Sequence, residues 1–457
     1  MLLSLPQEAK FLKRFEPVFG GPTYQRMLVL CIGAIVASGR RTVSRVLWAA
    51  RSLADGHPSS YQRVFSRSPW SILLAARILA ALVMEWVPPD QPVVLVVDDT
   101  TEQHRGKHVY GKGCHRDAVR SSSSHTVHLF GLKWVVLAVN VKFCFAARAW
   151  ALPVLVAPYR PEELDHKEGK RHKTPIQLAR GLVCLMLRWF PDRRFVLLGD
   201  GGYASHELAC FCHRRCRRWG KPRRLVLVSR FGPKAQLHQP PPPRRKGQPG
   251  RPAKKGPRLP APKDAAAALP RTSATVAWYA QGQRDIEFVS DTGLWYTHRG
   301  GKRVRVRWVF VHDPKDPRHD EYFYCSDSDM DPRQIIGLYT ARWPIEVTFQ
   351  ELKQRLGLGS TRQYTKRSVL RAAPCLMALF SIVSLIFAAH AKTHPSARVP
   401  RHTTYDKQQI SFCDALACVR RLLWDQTILE HAIGTRAIRK LPPKLADTFV
   451  GYLADVA

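Results

Sequence analysis

Hydrophobic and polar positions alternate with different rhythms along the 457 residues. Up to about residue 88 the period is helical. TYQRMLVLCIGAIVASG and RTVSRVLWAARSLADG each run into a glycine, and SPWSILLAARILAALVMEWV stops before Pro88 and Pro89, as helices do. This predicts an all-helical head (1–88) for packing, dimerisation or DNA binding, and SGRRTVSRVLWAARSLADGHPSSYQRVFSR within it is compatible with a helix-turn-helix. From residue 89 the rhythm shortens. PVVLVVDDTT, KWVVLAVNVKF, WALPVLVAP, RFVLLGDGG and RLVLVSR are β-branched runs that read as strands. Between them, TPIQLARGLVCLMLRWF reads as a helix capped by Thr174, with Pro175 in its first turn and Ile176, Ala179, Val183, Met186 and Phe190 along one side. The pattern predicts an α/β fold with a mixed sheet flanked by helices.

The rhythm then breaks. From Gly232 to about Thr272 the chain is rich in Pro, Lys, Arg and Ala, including QPPPPRRKGQPGRPAKKGPR, which predicts a disordered basic linker with general attraction for phosphate. Gly250-Arg251-Pro252 inside it matches the core of a minor-groove hook. Strands return over 273–330, where WYTHRGGKRVRVRWVFV reads as a hairpin around Gly300 and Gly301. Alternation puts Arg303, Arg305 and Arg307 on one face and Val304, Val306, Trp308 and Phe310 on the other, so the arginines face solvent or phosphate. SFCDALACVRRLLWDQTILEHA is a final helical piece.

Charge narrows the partners. With 72 Lys and Arg against 35 Asp and Glu, the net charge is +37, and such a field gathers polyanions. Nucleic acid leads. The basic residues are spread along the chain instead of flanking one apolar anchor, which argues against an anionic membrane. AAPCLMALFSIVSLIFAAHA is long and apolar enough to span a bilayer, but its place late in a basic chain, with Pro374, two serines and His390, predicts a buried core helix. The N-terminus lacks a signal-peptide pattern, so the expected location is the cytoplasm, beside the nucleoid. Eleven scattered cysteines then read as reduced thiols. Cys210, Cys212, His213 and Cys216 are the one metal-like cluster, but their spacing is not that of a zinc knuckle and reads as a helix face.

Acids are scarce, so their placement is informative. Asp98 and Asp99 end one predicted strand. Asp200 ends another, followed by two glycines that let backbone approach closely. Strand ends on one sheet edge share a cleft. Two such aspartates with a glutamate from a nearby helix have the oxygen donors to hold a pair of Mg²⁺ ions, or Mn²⁺, for displacement at phosphorus. Successive side chains of a strand face opposite ways, so only one of Asp98 and Asp99 enters that cleft. The glutamate is Glu346 or Glu351. Glu351 lies about 140° around a helix from Glu346, where it faces Arg355 at i+4.

Tyr339, Arg342, Glu346 and Lys353 fall within roughly a 60° arc if YTARWPIEVTFQELKQRLGLG is one helix. Pro344 lies inside that stretch and either kinks the helix or begins it. DDTT, LLGDGGY and Tyr339-x2-Arg342-x3-Glu346-x6-Lys353 together resemble the signature of the bacterial insertion-sequence transposases of the DDE type, in the group named for its Tyr-Arg-Glu-Lys motif. The resemblance spans roughly Val93 to Leu356. It implies a ribonuclease H-like fold interrupted by a mostly β insertion, with a catalytic core over 89–230 and 331–395, an insertion over 231–330 (basic linker 232–272, then strands) and a helical C-terminal region over 396–457. It also implies Asp99, Asp200 and Glu346 as catalytic and metal-binding residues, because the family's first aspartate directly precedes Thr or Gly. Tyr339, Arg342 and Lys353 match its phosphate-gripping positions, and Trp295 is a candidate to hold a flipped base. The function so implied is cut-and-paste DNA transposition by a homodimer on paired transposon ends. A metal-dependent nuclease or resolvase and an inactive DNA-binding relic are the alternatives.

Overall fold

The structure, a computed structural model, describes residues 5–117, 120–122, 124–215, 224–243, 249–279, 282–297, 302–316, 320–398, 407 and 409–429, with positions 442 and 450. Cys216, Gly300, Gly301 and most of the region after 429 lie outside the described residues.

In chain order the elements are a 3-10 segment Gln7–Val18, helices α1 (Gly21–Val36), α2 (Val43–Ala49), α3 (Pro58–Ser66) and α4 (Ile72–Met84), then strands β1 (Val93–Gln103), β2 (Gly113–Arg116), β3 (His128–Val141) and β4 (Trp150–Tyr159). Next come α5 (Glu162–Lys167), α6 (Pro175–Trp189), β5 (Phe195–Gly199), α7 (His206–Arg215), β6 (Leu225–Arg230), β7 (Leu237–His238), α8 (Pro262–Ala268), β8 (Thr272–Ala277), β9 (Gln283–Tyr296), β10 (Arg303–His312) and β11 (Glu321–Cys325). The chain continues through α9 (Pro332–Thr340), α10 (Pro344–Gln354), α11 (Lys366–Thr393) and α12 (Phe412–Leu423). This is the mixed α/β fold expected, with helices at both ends.

The chain divides into two compact units. One comprises 1–87, 99–173 and 346–457, and the other 88–98 and 174–345.

In the first unit, β3 pairs antiparallel with β2 and with β4. α11 packs on β4, where Ser381 Oγ donates to the Pro153 carbonyl at 2.8 Å. α11 is long and apolar enough to cross a membrane, yet 78% of its most apolar stretch is buried inside the protein, as the core-helix reading expected. Two buried arginines tie off the end of α1. Arg41 Nε donates to Ala34 O at 2.8 Å and Arg420 Nε to Ile35 O at 2.8 Å, satisfying carbonyls that a helix end leaves unpaired.

In the second unit, β1, β5 and β6 run parallel, and β11, β10 and β9 continue antiparallel from β6. α6 begins at the Thr174 cap its sequence announced, and Gln177 completes a capping box there. The hairpin pairs Arg303 with Tyr296. Val304, Val306, Trp308 and Phe310 are buried, while Arg303 and Arg305 are exposed and Arg307 half-buried, as alternation predicted.

Three expectations need correction. β1 does not end at Asp98 and Asp99 but continues to Gln103, since Thr100 and Thr101 keep the backbone extended. The stretch from 232 to 272 is not wholly a disordered linker. Gln239 N donates to Pro257 O and Gly256 N to Gln239 O, both at 2.9 Å, and α8 follows. A Cβ at Gly256 would stand 2.5 Å from the Pro240 carbonyl, so the close approach uses the glycine that composition had counted as linker. Finally, the signature stretch is two helices. α9 ends at Thr340 and α10 begins at Pro344, where the proline's missing N–H is tolerated in a first turn.

Candidate active site

The site is built on the register of two parallel strands. β1 pairs with β5 from Val93 opposite Phe195 to Val97 opposite Gly199, and Leu95, Val96 and Val97 are wholly buried. One residue further, β1 continues into Asp98, and Asp200 keeps extended backbone at φ −75° and ψ −171°. Residues level with one another in parallel strands present side chains to the same face. Asp98 and Asp200 therefore share a face, and Asp99 is turned to the other.

Asp200 is held firmly. Its Oδ1 accepts from Gly202 N at 2.9 Å and its carbonyl accepts from Ser229 Oγ at 2.9 Å. A Cβ at Gly199 would stand 2.8 Å from Tyr203 Cβ, so only glycine lets the turn close this tightly.

Asp98 has a cationic partner from the signature. Arg342 Nη1 lies 3.2 Å from Asp98 Oδ2, and both side chains are largely buried. Arg342 in turn stands over the Tyr339 ring, 5.9 Å from its centroid. Tyr339 is only 2% exposed and stacks on Phe323 with centroids 4.2 Å apart. Burial raises the pKa of its phenol, against the lowering pull of Arg342 and Arg230. Arg230 pairs with Glu321, whose other oxygen accepts from Tyr279 at 2.8 Å. Tyr339 thus packs beneath Arg342 and presents almost no surface to a phosphate.

Trp295 is half-buried and packs edge-on against His206, Phe231 and Tyr324 at 5.2, 5.2 and 5.4 Å. Arg303 Nη1 reaches the Lys254 carbonyl at 3.2 Å, Arg305 Nη2 reaches Thr292 Oγ1 at 3.4 Å and Arg307 Nε donates to Ser328 O at 2.9 Å.

In the first unit, Asp99 forms an ion pair with Lys133 at 2.6 Å. Glu346 lies in the first turn of α10, a helix anchored by Thr348 Oγ1 donating to Ala151 O at 2.8 Å. Burial lowers the pKa of Lys353, at the other end of α10, and the charges of Asp117 and Glu102 oppose that shift. Glu351 carries its partner, Arg355 Nε at 3.9 Å. Burial raises its pKa, as does Asp414, while Arg355 and Lys407 lower it.

Glu102 went unnoticed in the sequence. It is 2% exposed and its Oε1 accepts from Trp134 Nε1 at 2.7 Å, with His104 Nε2 3.5 Å away. On β1 it stands two and four positions past Thr100 and Asp98, on the same strand face. The available signal was alternation itself, followed past the pair of aspartates.

Carboxylate oxygens are hard donors, the chemistry that suits Mg²⁺ or Mn²⁺, and Asp98 and Asp200 each supply them.

The sequence profile of a family described as DDE superfamily endonuclease matches residues 14–285, more than half of the chain. The matched span includes Asp98, Asp99 and Asp200, and Glu346 lies beyond it. Among solved structures, the chain is similar to piggyBac transposase in a cryo-EM synaptic complex with hairpin DNA. The two share 11% identity, with 98% of this chain and 80% of that chain covered and a TM-score of 0.44. No curated protein matches the chain.

Proposed function

The chain belongs to the DDE superfamily of endonucleases, and from that premise we propose that it is a DNA transposase of the Tyr-Arg-Glu-Lys group, of bacterial insertion-sequence origin. It cuts at the ends of its element and joins them to a target. The observation that carries this reading is the register that puts Asp98 and Asp200 on one strand face, with a signature residue, Arg342, bonded to Asp98.

Asp98 takes the place that the resemblance gave to Asp99, because Asp200 shares a face with Asp98. Glu346 joins them on the strength of the signature spacing. These carboxylates would hold Mg²⁺, which neutralises charge on the attacked phosphate and makes water or a 3′-hydroxyl a better nucleophile. Arg342 orients the Asp98 carboxylate, and Tyr339 fixes Arg342 through stacking on Phe323. Arg342 and Lys353 supply positive charge to the bound DNA backbone. Arg303 and Arg305 add further phosphate contacts. Trp295 remains the candidate for a flipped base in a hairpin step, one that requires it to swing out of its aromatic packing.

In hydrolysis a water oxygen bonds to phosphorus and the 3′-oxygen leaves as a 3′-hydroxyl. In joining, that hydroxyl attacks a target phosphate and a target 3′-oxygen leaves. The same acids serve both. The partners are double-stranded terminal repeats and target DNA, engaged by a homodimer in the cytoplasm.

The test is a cleavage and joining assay with Mg²⁺ on DNA carrying the inverted repeats that flank the gene. Asp98→Ala and Asp200→Ala should each lower cleavage on the order of 10³-fold with DNA binding retained, and Asp99→Ala should leave much more activity. Full activity in Asp98→Ala would return the role to Asp99. Cutting without joined product would make the protein a nuclease or resolvase, and binding without cutting an inactive relic.

A further inference from the structure

The last turn of α11 and the 3-10 segment Gln7–Val18 meet at a cluster that the proposed reaction does not use. His390 and His394 stand one turn apart on and just beyond the end of α11, with their rings stacked at a centroid distance of 4.1 Å and an interplanar angle of 19°. Glu8 enters from the 3-10 segment and places Oε1 2.9 Å from His390 Nδ1. One potential ligand atom from each of the three residues lies within 4.8 Å of the other two.

Two neighbouring cations are engaged elsewhere. Lys392 Nζ is turned away over the Trp86 ring at 3.9 Å, and Arg398 Nε donates to the Ala391 carbonyl at 2.6 Å. Burial pushes the Glu8 carboxyl up, but its hydrogen bond to His390 and the nearby imidazoles outweigh this and hold it below its usual value. On α12, burial pushes the Cys418 thiol up to about 11, with Arg421 opposing and the charge of Glu8 adding to the rise.

We propose that Glu8, His390 and His394 form a structural site for a borderline divalent cation, zinc above all, which ties the beginning of the chain to the end of α11. Two imidazoles four positions apart, one in the last helical turn and one at its cap, are spaced to share an ion, and a carboxylate from another element completes a common three-ligand set. Ligands of a tetrahedral zinc ion with bonds of ~2.0–2.1 Å lie about 3.3 Å apart. The observed span closes to that value by rotation of His394, which is exposed and can change rotamer at little cost. The ion takes the place of the hydrogen bond that now joins Glu8 to His390. Nitrogen donors favour zinc over magnesium, so the site is chemically distinct from the all-carboxylate set at Asp98 and Asp200.

The test uses the full chain freed of metal by a chelator, in an Asp98→Asn/Asp200→Asn background that removes the two carboxylates proposed to hold a metal ion elsewhere. Calorimetric titration with Zn²⁺ should show one equivalent bound, and Co²⁺ should give the intense visible absorption of a four-coordinate site. His394→Ala and Glu8→Gln should each weaken Zn²⁺ binding at least about tenfold, and Zn²⁺ should raise the melting temperature of the background protein but not of the His394→Ala form. His394→Gln, at an exposed position, guards against a folding defect. Absence of saturable binding, or affinities unchanged within about twofold in both variants, would reject the site and leave the cluster a hydrogen-bonded staple.

Discussion

Arg342 Nη1 and Asp98 Oδ2 lie 3.2 Å apart although 244 positions separate them in the chain. The pair joins a signature residue between α9 and α10 to the strand that carries the first candidate carboxylate. Breaking a largely buried pair leaves one charge uncompensated. Arg342→Ala should cost about 3 kcal/mol of stability, read as a lower denaturant midpoint, and should abolish cleavage. Arg342→Lys should recover stability better than activity, since an ammonium lacks the planar fork of a guanidinium. A variant as stable as the parent would show that the pair is incidental.

Gly199→Ala tests the tight turn before Asp200. The added methyl meets Tyr203 Cβ at 2.8 Å, and overpacking of this kind costs about 1–3 kcal/mol. Thermal melting should register the loss, and cleavage should fall by more than the folded fraction does, because the strain is taken up next to Asp200.

His115 gives a pH dependence with a definite sign. Burial lowers its pKa, Lys133 lowers it further, and a backbone hydrogen bond to Gly131 and the charge of Asp99 partly oppose them. The unfolded chain therefore takes up this proton first as pH falls. Stability from this group is complete above the unfolded value of about 6.5 and declines below it until the folded pKa is reached. His115→Asn should flatten the acid side of a melting-temperature profile between about pH 5 and 7. An unchanged slope would exclude His115 as its source.

The exposed arginines of β10 make a separate prediction about affinity. If Arg303 and Arg305 each neutralise one phosphate, the double alanine variant should weaken DNA binding at low salt and reduce the slope of log K against log salt by about 2. Fluorescence anisotropy across a salt series gives that slope directly. An unaltered slope would place the DNA elsewhere.

What could be read from sequence was what short-range periodicity determines. The Thr174 cap, the Arg/Val alternation of β10 and the strand before Asp200 each depend on a handful of neighbouring residues, and all are present. The mixed sheet followed from the order of such runs. The choice between Asp98 and Asp99 depends on how β1 aligns with a strand about 100 positions away, and no local pattern encodes that alignment. Tyr339 matched its motif by spacing, but its burial against Phe323 is a tertiary fact. Glu102 belongs to the same strand face as Asp98, and its partner Trp134 is supplied by β3. Composition misread the stretch after Gly232, because Pro and Gly also permit the close backbone pairing seen at Gln239 and Gly256.

The burial of α11 against β4 has a consequence for biogenesis. The Ser381 hydroxyl meets the Pro153 carbonyl across 228 positions, so β4 leaves the ribosome long before the helix that shields it. Nascent chains stalled ahead of residue 366 should be chaperone clients prone to precipitate, and the emerging helix should compete for factors that recognise membrane anchors until it docks.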